Sequence, residues 1–386
     1  MYRYPNISHL NTGEGFEKKI MMGSGTVTAR DILECEGFSE HGYKIPFIFG
    51  IDDDFTPVSC DLARVSSILI SGSTGQGQIN ILHSFISSLI LTTPPEEVGL
   101  VLLDPLGVDL AFMKRLPHCI YFGERPVGVK AGISWLMMEM TRRIKRLIAA
   151  GVSGIDQYTG GDMPRIVVCA SNLDMPLSEM PELVEDDVRN LLLYGRTVGI
   201  HPVITSIDHV QWGQRPDILR SFGAILALKH TTPNIDILPR GYKTDFDSWG
   251  VGYLSVGKKI ERIHIVCEGY SSGISALIKE CVGNNPDYAP DAKTREELEK
   301  CLKRAEEEIR WFADSKKGTS IMTLLEEAVG FVHEYEEINA PILRYRLNCG
   351  RQEALDVISE LTSLGIIEKG KNGRYKVIKP DEGTSS

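Results

Sequence analysis

The sequence contains no paired cysteine motif and no long apolar run. Its eight cysteines are scattered singly, without a C-x-x-C pair or zinc-type cysteine and histidine spacing, so we expect no metal site. The longest apolar run, residues 81–91, contains His83 and three serines and is too short to cross a bilayer. The start, MYRYPNISHL, lacks the order of a signal peptide. We therefore expect a cytoplasmic protein with no membrane insertion.

Positive charge is also scarce. The 386 residues include 42 lysines and arginines against 52 aspartates and glutamates, for a formal net charge of −10. This balance gives no overall attraction to nucleic acid or anionic membranes, so DNA binding would need a local basic surface. With 42% hydrophobic and 24% charged residues, the composition fits a soluble globular chain of two or three domains.

Apolar strand patterns alternate with helical patterns through the first 283 residues. Four near-continuous apolar runs predict buried strands: SSILISG, VGLVLLD, RIVVCAS and IHPVITSI. Further strands are predicted at IPFIFGID, FTPVSC, GAILALK and IHIVCEG. Strands that are apolar throughout and alternate with helices indicate a parallel sheet covered on both faces. The predicted fold class is therefore α/β with a mainly parallel sheet.

The composition changes after Gly283. A linker-like stretch and a charged helical segment follow, which we interpret as a solvated surface helix. Three helical patterns and a hairpin turning at Asn372-Gly373 come next, which is the pattern of a winged helix-turn-helix. The predicted division is an irregular segment 1–25, an α/β domain 26–283, a linker and helix 284–319, a winged helix 320–380 and a tail 381–386.

The stretch GSTGQGQIN joins the first buried strand to its helix and is nearly a P-loop, G-x-x-x-x-G-K-[ST]. Gly72 and Gly77 have the required spacing, but Gln78 stands at the lysine position and Ile79 at the serine or threonine position. Any strand-to-helix turn favours glycine, so the loop alone is not decisive. The candidate nucleotide-binding residues are Gly72, Ser73, Thr74, Gly75, Gln76, Gly77, Gln78 and Ile79.

Several motifs in order resemble the FtsK/SpoIIIE family of DNA-translocating motor ATPases. SILISGSTGQG is similar to the family's P-loop segment, and LLDPLGVDL to its D-P-K-x-x-E-L. EMTRRIKRLIAAGVSGIDQY and GRTVGIHPVI are similar to its E-M-x-R-R and A-R-A-x-G-I-H stretches. The resemblance implies a RecA-like P-loop NTPase core and a C-terminal gamma winged helix. It also implies a bacterial, hexameric protein of chromosome partition that uses ATP with Mg²⁺ and binds double-stranded DNA.

The family's catalytic positions are changed in this chain. Ser171 and Asn172 align with the Asp-Glu pair of the Walker B strand, and Leu106 replaces a lysine. Residues 206–209, SIDH, lack the glutamine and arginine of the family's T-Q-R-P sensor. We therefore predict no catalytic residues, no metal, and weak magnesium-insensitive binding of ADP or phosphate, or none.

Two functions stay open at this point. The first is a catalytically inactive binding or structural subunit, which joins a ring of its own copies or an active paralogue. The alternative is an active ATP-dependent double-stranded DNA translocase with non-standard catalytic residues. Phosphate release stimulated by DNA would separate the two.

The predicted recognition helix carries Glu353 and Asp356 where the resemblance implies arginines. Carboxylates at those positions repel phosphates, so either the wing contacts the DNA backbone or the winged helix contacts protein. The candidate DNA-binding residues are Arg344, Arg346, Arg351, Gln352, Lys369, Lys371, Arg374 and Lys376.

Other residues are predicted to serve the fold. The histidines without partner spacing, His83, His118 and His201, are expected to be structural, and the methionines Met137, Met138 and Met140 to pack in the core. The paired Arg142 and Arg143 are expected at a subunit interface or in surface salt bridges.

Overall fold

The chain forms two compact units, Met1–Ala305 and Glu306–Ser386, in a computed structural model. The structure describes residues 8–9, 28–35, 38, 42–207, 215–230, 237–238, 245–246, 249–266, 272–284, 290–317, 321–333, 335, 337–347, 349, 351–370 and 374–378. The predicted irregular segment 1–25 lies outside these ranges except for Ser8–His9, which form a short strand. The predicted tail 381–386 and the turn at Asn372-Gly373 also lie outside them.

The first unit is built on one mixed sheet of eleven strands. They are β1 (Ser8–His9), β2 (Pro46–Ile51), β3 (Pro57–Asp61), β4 (Ile68–Ser71), β5 (Val98–Asp104), β6 (Cys119–Glu124), β7 (Arg165–Ala170), β8 (Ile200–Ser206), β9 (Ala224–Leu228), β10 (Val251–Val256) and β11 (Lys259–Ile265). Their spatial order is β1-β3-β2-β11-β10-β9-β4-β8-β7-β5-β6.

The sheet is parallel from β9 to β6 and antiparallel from β1 to β9. The predicted parallel α/β core is thus present in six strands. The antiparallel extension was not predicted as such, and neither β6 nor β10 was predicted as a strand.

Helices cover both faces of the sheet. Their bounds are α1 (Ala29–Leu33), α2 (Leu62–Val65), α3 (Gln78–Thr92), α4 (Arg125–Ala149), α5 (Asp174–Glu179), α6 (Pro181–Tyr194), α7 (Pro216–Leu219), α8 (Ser272–Asn284) and α9 (Ala292–Lys317). Short 3₁₀ turns lie at Ala111–Arg115, Ile155–Gln157 and Gly195–Val198.

Alternating side chains of each central strand enter opposite cores. In β5, Leu100 and Leu102 belong to the cluster that packs on α3, whereas Val101 and Leu103 belong to the cluster that packs on α4 and α6. This period of two, with apolar residues on both faces, explains why the strand reads as a continuous apolar run. Parallel strands buried on both faces bring all their carboxyl ends to one edge of the sheet, where sites are built.

The charged helix α9 is not wholly solvated. Leu298, Cys301 and Ala305 are buried in the core cluster of the first unit, and the Cys301 Sγ lies 3.7 Å from the Met138 Sδ. The segment predicted as linker and solvated surface helix, 284–319, therefore contains residues that pack as part of the first unit.

After the end of α9, the described residues of the second unit form three helices and a small antiparallel sheet. The helices are α10 (Ile321–Val332), α11 (Ala340–Leu347) and α12 (Arg351–Ser363). The strands are β12 (Glu337–Ile338), β13 (Ile367–Lys369) and β14 (Tyr375–Val377), in the order β12-β14-β13. Among the described residues of this unit, fourteen buried ones, from Leu324 to Val377, form a separate core. The third strand, β12, adds to the predicted hairpin.

Candidate functional site

The glycine loop joins β4 to α3 and is fixed to both neighbouring strands. The Gly72 N–H donates to the Ser206 carbonyl at 3.0 Å, and the Ser73 N–H donates to the Lys229 carbonyl at 3.0 Å. Gly75 and Gly77 have left-handed φ angles of +83° and +106°. A Cβ on Gly77 would lie 2.5 Å from the Ile265 Cδ1, so only glycine fits there.

Gln78 fills the interior of this loop. Its side chain is 3% exposed, and its amide Nε2 donates to the Gly72 carbonyl at 3.1 Å and to the Ser73 carbonyl at 3.3 Å. Its Oε1 is buried and meets no hydrogen-bond donor among the described residues. Ile79, the next residue, is half-buried and offers no oxygen to a metal ion.

An aromatic side chain lies against the outside of the loop. The Trp249 indole N–H donates to the Gly75 carbonyl at 2.7 Å, and the ring remains 54% exposed. The hydrogen bond joins residues 174 positions apart in sequence. No local pattern around Trp249 indicates this contact, and sequence reasoning missed it.

The two Walker B positions bind a carboxylate from a neighbouring loop. The Ser171 hydroxyl donates to the Asp109 Oδ2 at 2.5 Å, and the Asn172 Nδ2 donates to the same oxygen at 3.1 Å. Asn172 has a left-handed φ of +49°, and its backbone N–H donates to the Thr205 hydroxyl at 3.0 Å on β8. The network therefore joins the carboxyl ends of β5, β7 and β8.

Asp109 is the residue that sequence reasoning left without a role. It lies at the acidic position of LLDPLGVDL, which was the available signal. The loop that carries it is held rigidly, because the buried Asp104 carboxylate accepts from the Gly107 N–H at 3.0 Å and the Leu110 N–H at 2.8 Å. His83, on the helix that follows the glycine loop, donates to the Asp109 carbonyl at 2.7 Å.

Strand order places the glycine loop and the Asp109 network at the same edge. β8 lies between β4, which leads into the loop, and β7, which leads into Ser171. This edge is where α/β sheets bind ligands. In the region predicted as a sensor, Ser206 ends β8 and Ile207 is exposed, while Asp208 and His209 lie outside the described residues.

Comparison with known protein families decides the identity. Residues 30–236, more than half of the chain, match the FtsK/SpoIIIE family. The chain belongs to the FtsK/SpoIIIE family. Among curated FtsK/SpoIIIE relatives, the DNA translocase FtsK of Shewanella oneidensis is 23% identical over 92% of this chain and 42% of its own length. The DNA translocase FtsK of Clostridium acetobutylicum is 24% identical over 91% of this chain and 46% of its own length. The chain thus spans less than half the length of these relatives.

Solved structures confirm the α/β core that the FtsK/SpoIIIE resemblance predicted. ATPases 2 and 3 of EssC from Geobacillus thermodenitrificans superpose with a TM-score of 0.57 and 18% identity, covering 64% of this chain and 50% of that one. The cytoplasmic domain of the type VII secretion ATPase EccC from Thermomonospora curvata gives 0.53 and 19%, covering 62% and 31%. At these identities the likeness shows the fold alone.

The residues at this edge of the sheet do not fit a magnesium–nucleotide complex. The loop interior holds a neutral amide, the Ile79 side chain has no oxygen, and Ser171 is a neutral hydroxyl already bound to Asp109.

Across the described ranges, no group of three histidine, cysteine, aspartate or glutamate side chains is placed to hold a metal ion. In the same ranges, no helix is both long and apolar enough to span a membrane.

Two DNA-binding candidates of the second unit contact other side chains. The Arg346 guanidinium lies 4.7 Å from the Phe331 ring centroid and 5.8 Å from that of Tyr335. Arg374 forms an ion pair of 3.1 Å with Glu337. Arg344, Lys369 and Lys376 are exposed. Lys371 and the side chains of Arg351 and Gln352 lie outside the described positions.

The other residues singled out from sequence serve the fold. His83, His118 and His201 each bond a backbone carbonyl, and burial lowers the pKa of each ring, that of His201 to about 3. Met140 is buried and Met137 packs on the core, but Met138 is 46% exposed.

The paired arginines differ from one another. Arg142 forms a salt bridge with Glu297, which agrees with one of the two predicted roles. Arg143 is buried and bonds backbone carbonyls within its own unit, so neither an interface nor the surface describes its position.

Proposed function

We propose that this chain is a non-hydrolysing member of the FtsK/SpoIIIE family that acts by binding rather than by turnover. One observation carries the proposal: the Gln78 amide fills the glycine loop and bonds the Gly72 and Ser73 carbonyls, where the family's lysine would supply a positive charge. An amide in place of that cation loses a charge-assisted contact worth roughly 1.5–3 kcal/mol.

The defects at the neighbouring strand reinforce this proposal. Phosphoryl transfer depends on a positioned metal ion and an oriented nucleophile. Ser171 supplies no negative charge to support a metal, and Asn172 cannot accept a proton, a loss of about 10²–10⁴ in rate for a general base. Because these losses act on separate requirements of the same reaction, we expect turnover to fall below detection.

The binding role extends to partners. FtsK relatives are named DNA translocases, and we propose that this chain contacts double-stranded DNA, its own copies or an active paralogue. A winged helix is our assignment for the second unit, supported by its three helices and its antiparallel sheet. Because carboxylates replace arginines on α12, protein contact is the role we favour for it.

Phosphate release in the presence of double-stranded DNA tests the proposal. The wild-type chain, the Gly77→Val variant and a variant carrying Gln78→Lys, Ile79→Ser, Ser171→Asp and Asn172→Glu are assayed side by side with ATP and Mg²⁺. We expect wild type to equal Gly77→Val, which blocks the loop against Ile265. DNA-stimulated release by wild type that Gly77→Val abolishes would contradict the proposal.

One observation favours the alternative of an active translocase. The Asp109 carboxylate accepts a hydrogen bond from the Ser171 hydroxyl at 2.5 Å, and thus places a negative charge beside the two Walker B positions, where Ser171 and Asn172 supply none. If wild type does turn over ATP, the Asp109→Asn variant separates the two cases. A loss of about 10²-fold or more would assign Asp109 to the reaction.

A further inference from the structure

Arginines line the edge of the sheet that is opposite the glycine loop. The parallel strands β9, β4, β8 and β7 are neighbours in that order, so their amino ends meet at this edge. Each strand has an arginine at or just before its amino end, in the order Arg220, Arg64, Arg196 and Arg165. Because neighbouring strands are about 4.8 Å apart, this arginine row extends over about 14 Å.

Three of the four arginines are available to bind an anion. Arg64 is 69% exposed, and its ion pair with the buried Asp61 is long, at 3.7 Å. Arg196 and Arg220 are exposed and form no ion pair with any residue that the structure describes. Each of these guanidinium groups therefore presents several N–H donors and a full positive charge to solvent.

The fourth arginine belongs to a cluster with an excess of positive charge. Arg165 and Lys44 both donate to the Asp156 Oδ1, each at 2.6 Å. Burial raises the pKa of the Asp156 carboxyl, but the hydrogen bond from Lys44 and nearby positive charges, including that of Arg196, hold the pKa below its ordinary value. One carboxylate therefore faces three cations, and this end of the row also stays positive.

The positive surface has clear limits along the sheet. Beyond β9, the turn between β10 and β11 adds the exposed Lys258. Beyond β7, the next strand is β5, and the exposed Glu96 and Glu97 precede it. The chain as a whole carries a net charge of −10, so this edge is a local basic surface on an acidic protein. Such a surface is the electrostatic feature that nucleic-acid binding requires.

The length of the row matches the charge spacing of DNA. One strand of a duplex presents a phosphate about every 3.4 Å along the helix axis, and thus about four phosphates over 14 Å. Guanidinium groups are suited to phosphates, because their paired N–H donors match two phosphate oxygens. We propose that this edge binds the phosphate backbone of double-stranded DNA through Arg64, Arg196 and Arg220.

The inference rests on the proposed function in naming DNA as the partner, and it adds the surface that makes the contact. That surface belongs to the first unit, and it is separate from both the glycine loop and the second unit. Contacts to phosphates carry no sequence information. We therefore expect the binding to be independent of DNA sequence and strongly dependent on salt.

Fluorescence anisotropy of the full chain with a labelled duplex, between about 50 and 200 mM salt, tests the proposal. The test variant carries Arg64→Gln, Arg196→Gln and Arg220→Gln. Each phosphate contact contributes about −0.9 to the slope of log affinity against log salt. We therefore expect the slope of the variant to be shallower than that of wild type by about 2.7, and its affinity at low salt to be lower.

A matched variant controls for the loss of charge. Lys279→Gln, Lys303→Gln and Arg310→Gln remove the same three charges from exposed positions on α8 and α9, and should leave the slope unchanged. Melting temperatures verify that both variants are folded. An equal change of slope in the two variants, or no DNA binding by wild type at about 50 mM salt, would overturn the inference.

A competition experiment separates DNA from an acidic protein as the partner. Unlabelled duplex and polyglutamate, at equal concentrations of negative charge, compete with the labelled duplex for wild type. We expect the duplex to compete more strongly, and equal competition by polyglutamate would overturn the assignment of DNA. None of these outcomes alters the phosphate-release assay, so a failure of this inference is distinguishable from a failure of the proposed lack of hydrolysis.

Discussion

Arg143 is 3% exposed, yet every part of its guanidinium has a partner. Nε donates to the Glu139 carboxylate at 2.8 Å, and the two terminal nitrogens donate to the Val198 carbonyl at 2.9 Å and the Pro164 carbonyl at 2.8 Å. Burial lowers the pKa of this group, but the neighbouring Glu139 opposes that shift. A buried charge of this kind is tolerated because its hydrogen bonds are satisfied.

We expect Arg143→Ala to destabilise the first unit by about 2–4 kcal/mol, because it removes the donor to two backbone carbonyls and leaves Glu139 with Arg142 as its arginine partner. Arg142→Ala, at the adjacent and more exposed position, should cost about 1 kcal/mol or less. Urea unfolding of the two variants measures the difference. Equal losses would show that the buried bonds of Arg143 contribute little.

His201 should make stability depend on pH. Burial lowers its folded pKa to about 3, well below the unfolded value of about 6.5. Protonation therefore favours unfolding: the full stability is present above pH 6.5 and is lost as pH falls toward 3. At pH 5 the loss is about 2 kcal/mol. His201→Asn should flatten the fall in melting temperature between pH 7 and pH 5. An unchanged slope would contradict this account.

Contacts between residues far apart in the chain were the part of the site that the sequence predicted least well. The glycine spacing and the flanking strand and helix identified the loop, since those features are local. Asp109 meets Ser171 across 62 positions, and Trp249 meets Gly75 across 174, so no short-range pattern encodes either contact. The sequence likewise does not distinguish the adjacent Arg142 and Arg143, although it is Arg143 that donates to the Pro164 and Val198 carbonyls.

Among the secondary-structure elements, the strands that are buried on both faces are the ones that the sequence predicts best. β5, β7 and β8 were predicted because they are apolar on both faces. β6 was missed because it is an edge strand whose residues are mostly half-buried. β10 contains Gly252 and Ser255, and its position depends on antiparallel pairing with β9 and β11, which no local pattern specifies.

Part of helix α9 packs in the core of the first unit, although its sequence is mostly charged. Leu298, at 6% exposure, packs in the first unit's core, and Glu297 accepts from Arg142 at 2.7 and 2.8 Å. Because charged residues dominate the helix sequence, the sequence alone did not identify the contacts of Leu298 and Glu297. Only the contacts reveal which turn is buried.

Leu298→Ala should destabilise the first unit by about 2–4 kcal/mol through lost burial and the resulting cavity. Leu302→Ala is the matched control, because Leu302 is only partly buried against the same cluster and should lose less. Thermal unfolding followed by circular dichroism compares them. Two equal and small shifts would mean that α9 contributes little to the core.

At the scale of the whole molecule, the balance of charge bears on DNA binding. Lys376 on β14 lies opposite Glu337 on β12 and Glu368 on β13, and Arg374 is paired with Glu337. Residues 321–380 contain nine acidic and eight basic side chains, within a chain of net charge −10. The chain's own carboxylates thus lie beside Arg374 and opposite Lys376 in the wing.

Replacing Glu337 and Glu368 with glutamine should strengthen DNA binding, because it removes the ion pair of Arg374 and the negative charges opposite Lys376. In a gel-shift assay with a double-stranded probe at low salt, we expect the double variant to retard DNA more than wild type. Adding Lys371→Ala, Arg374→Ala and Lys376→Ala should remove that gain. Tight binding by wild type at physiological salt would show that these carboxylates do not oppose DNA binding.

The proposed lack of hydrolysis requires that the glycine loop does not hold a magnesium–nucleotide complex. The most direct measurement is calorimetric titration of the full chain with ATP, with and without Mg²⁺. We predict that the affinity is weak and unchanged by the metal, because neither Ile79 nor Ser171 provides a ligand or a supporting charge for it. Sub-micromolar affinity that requires Mg²⁺ would contradict the claim.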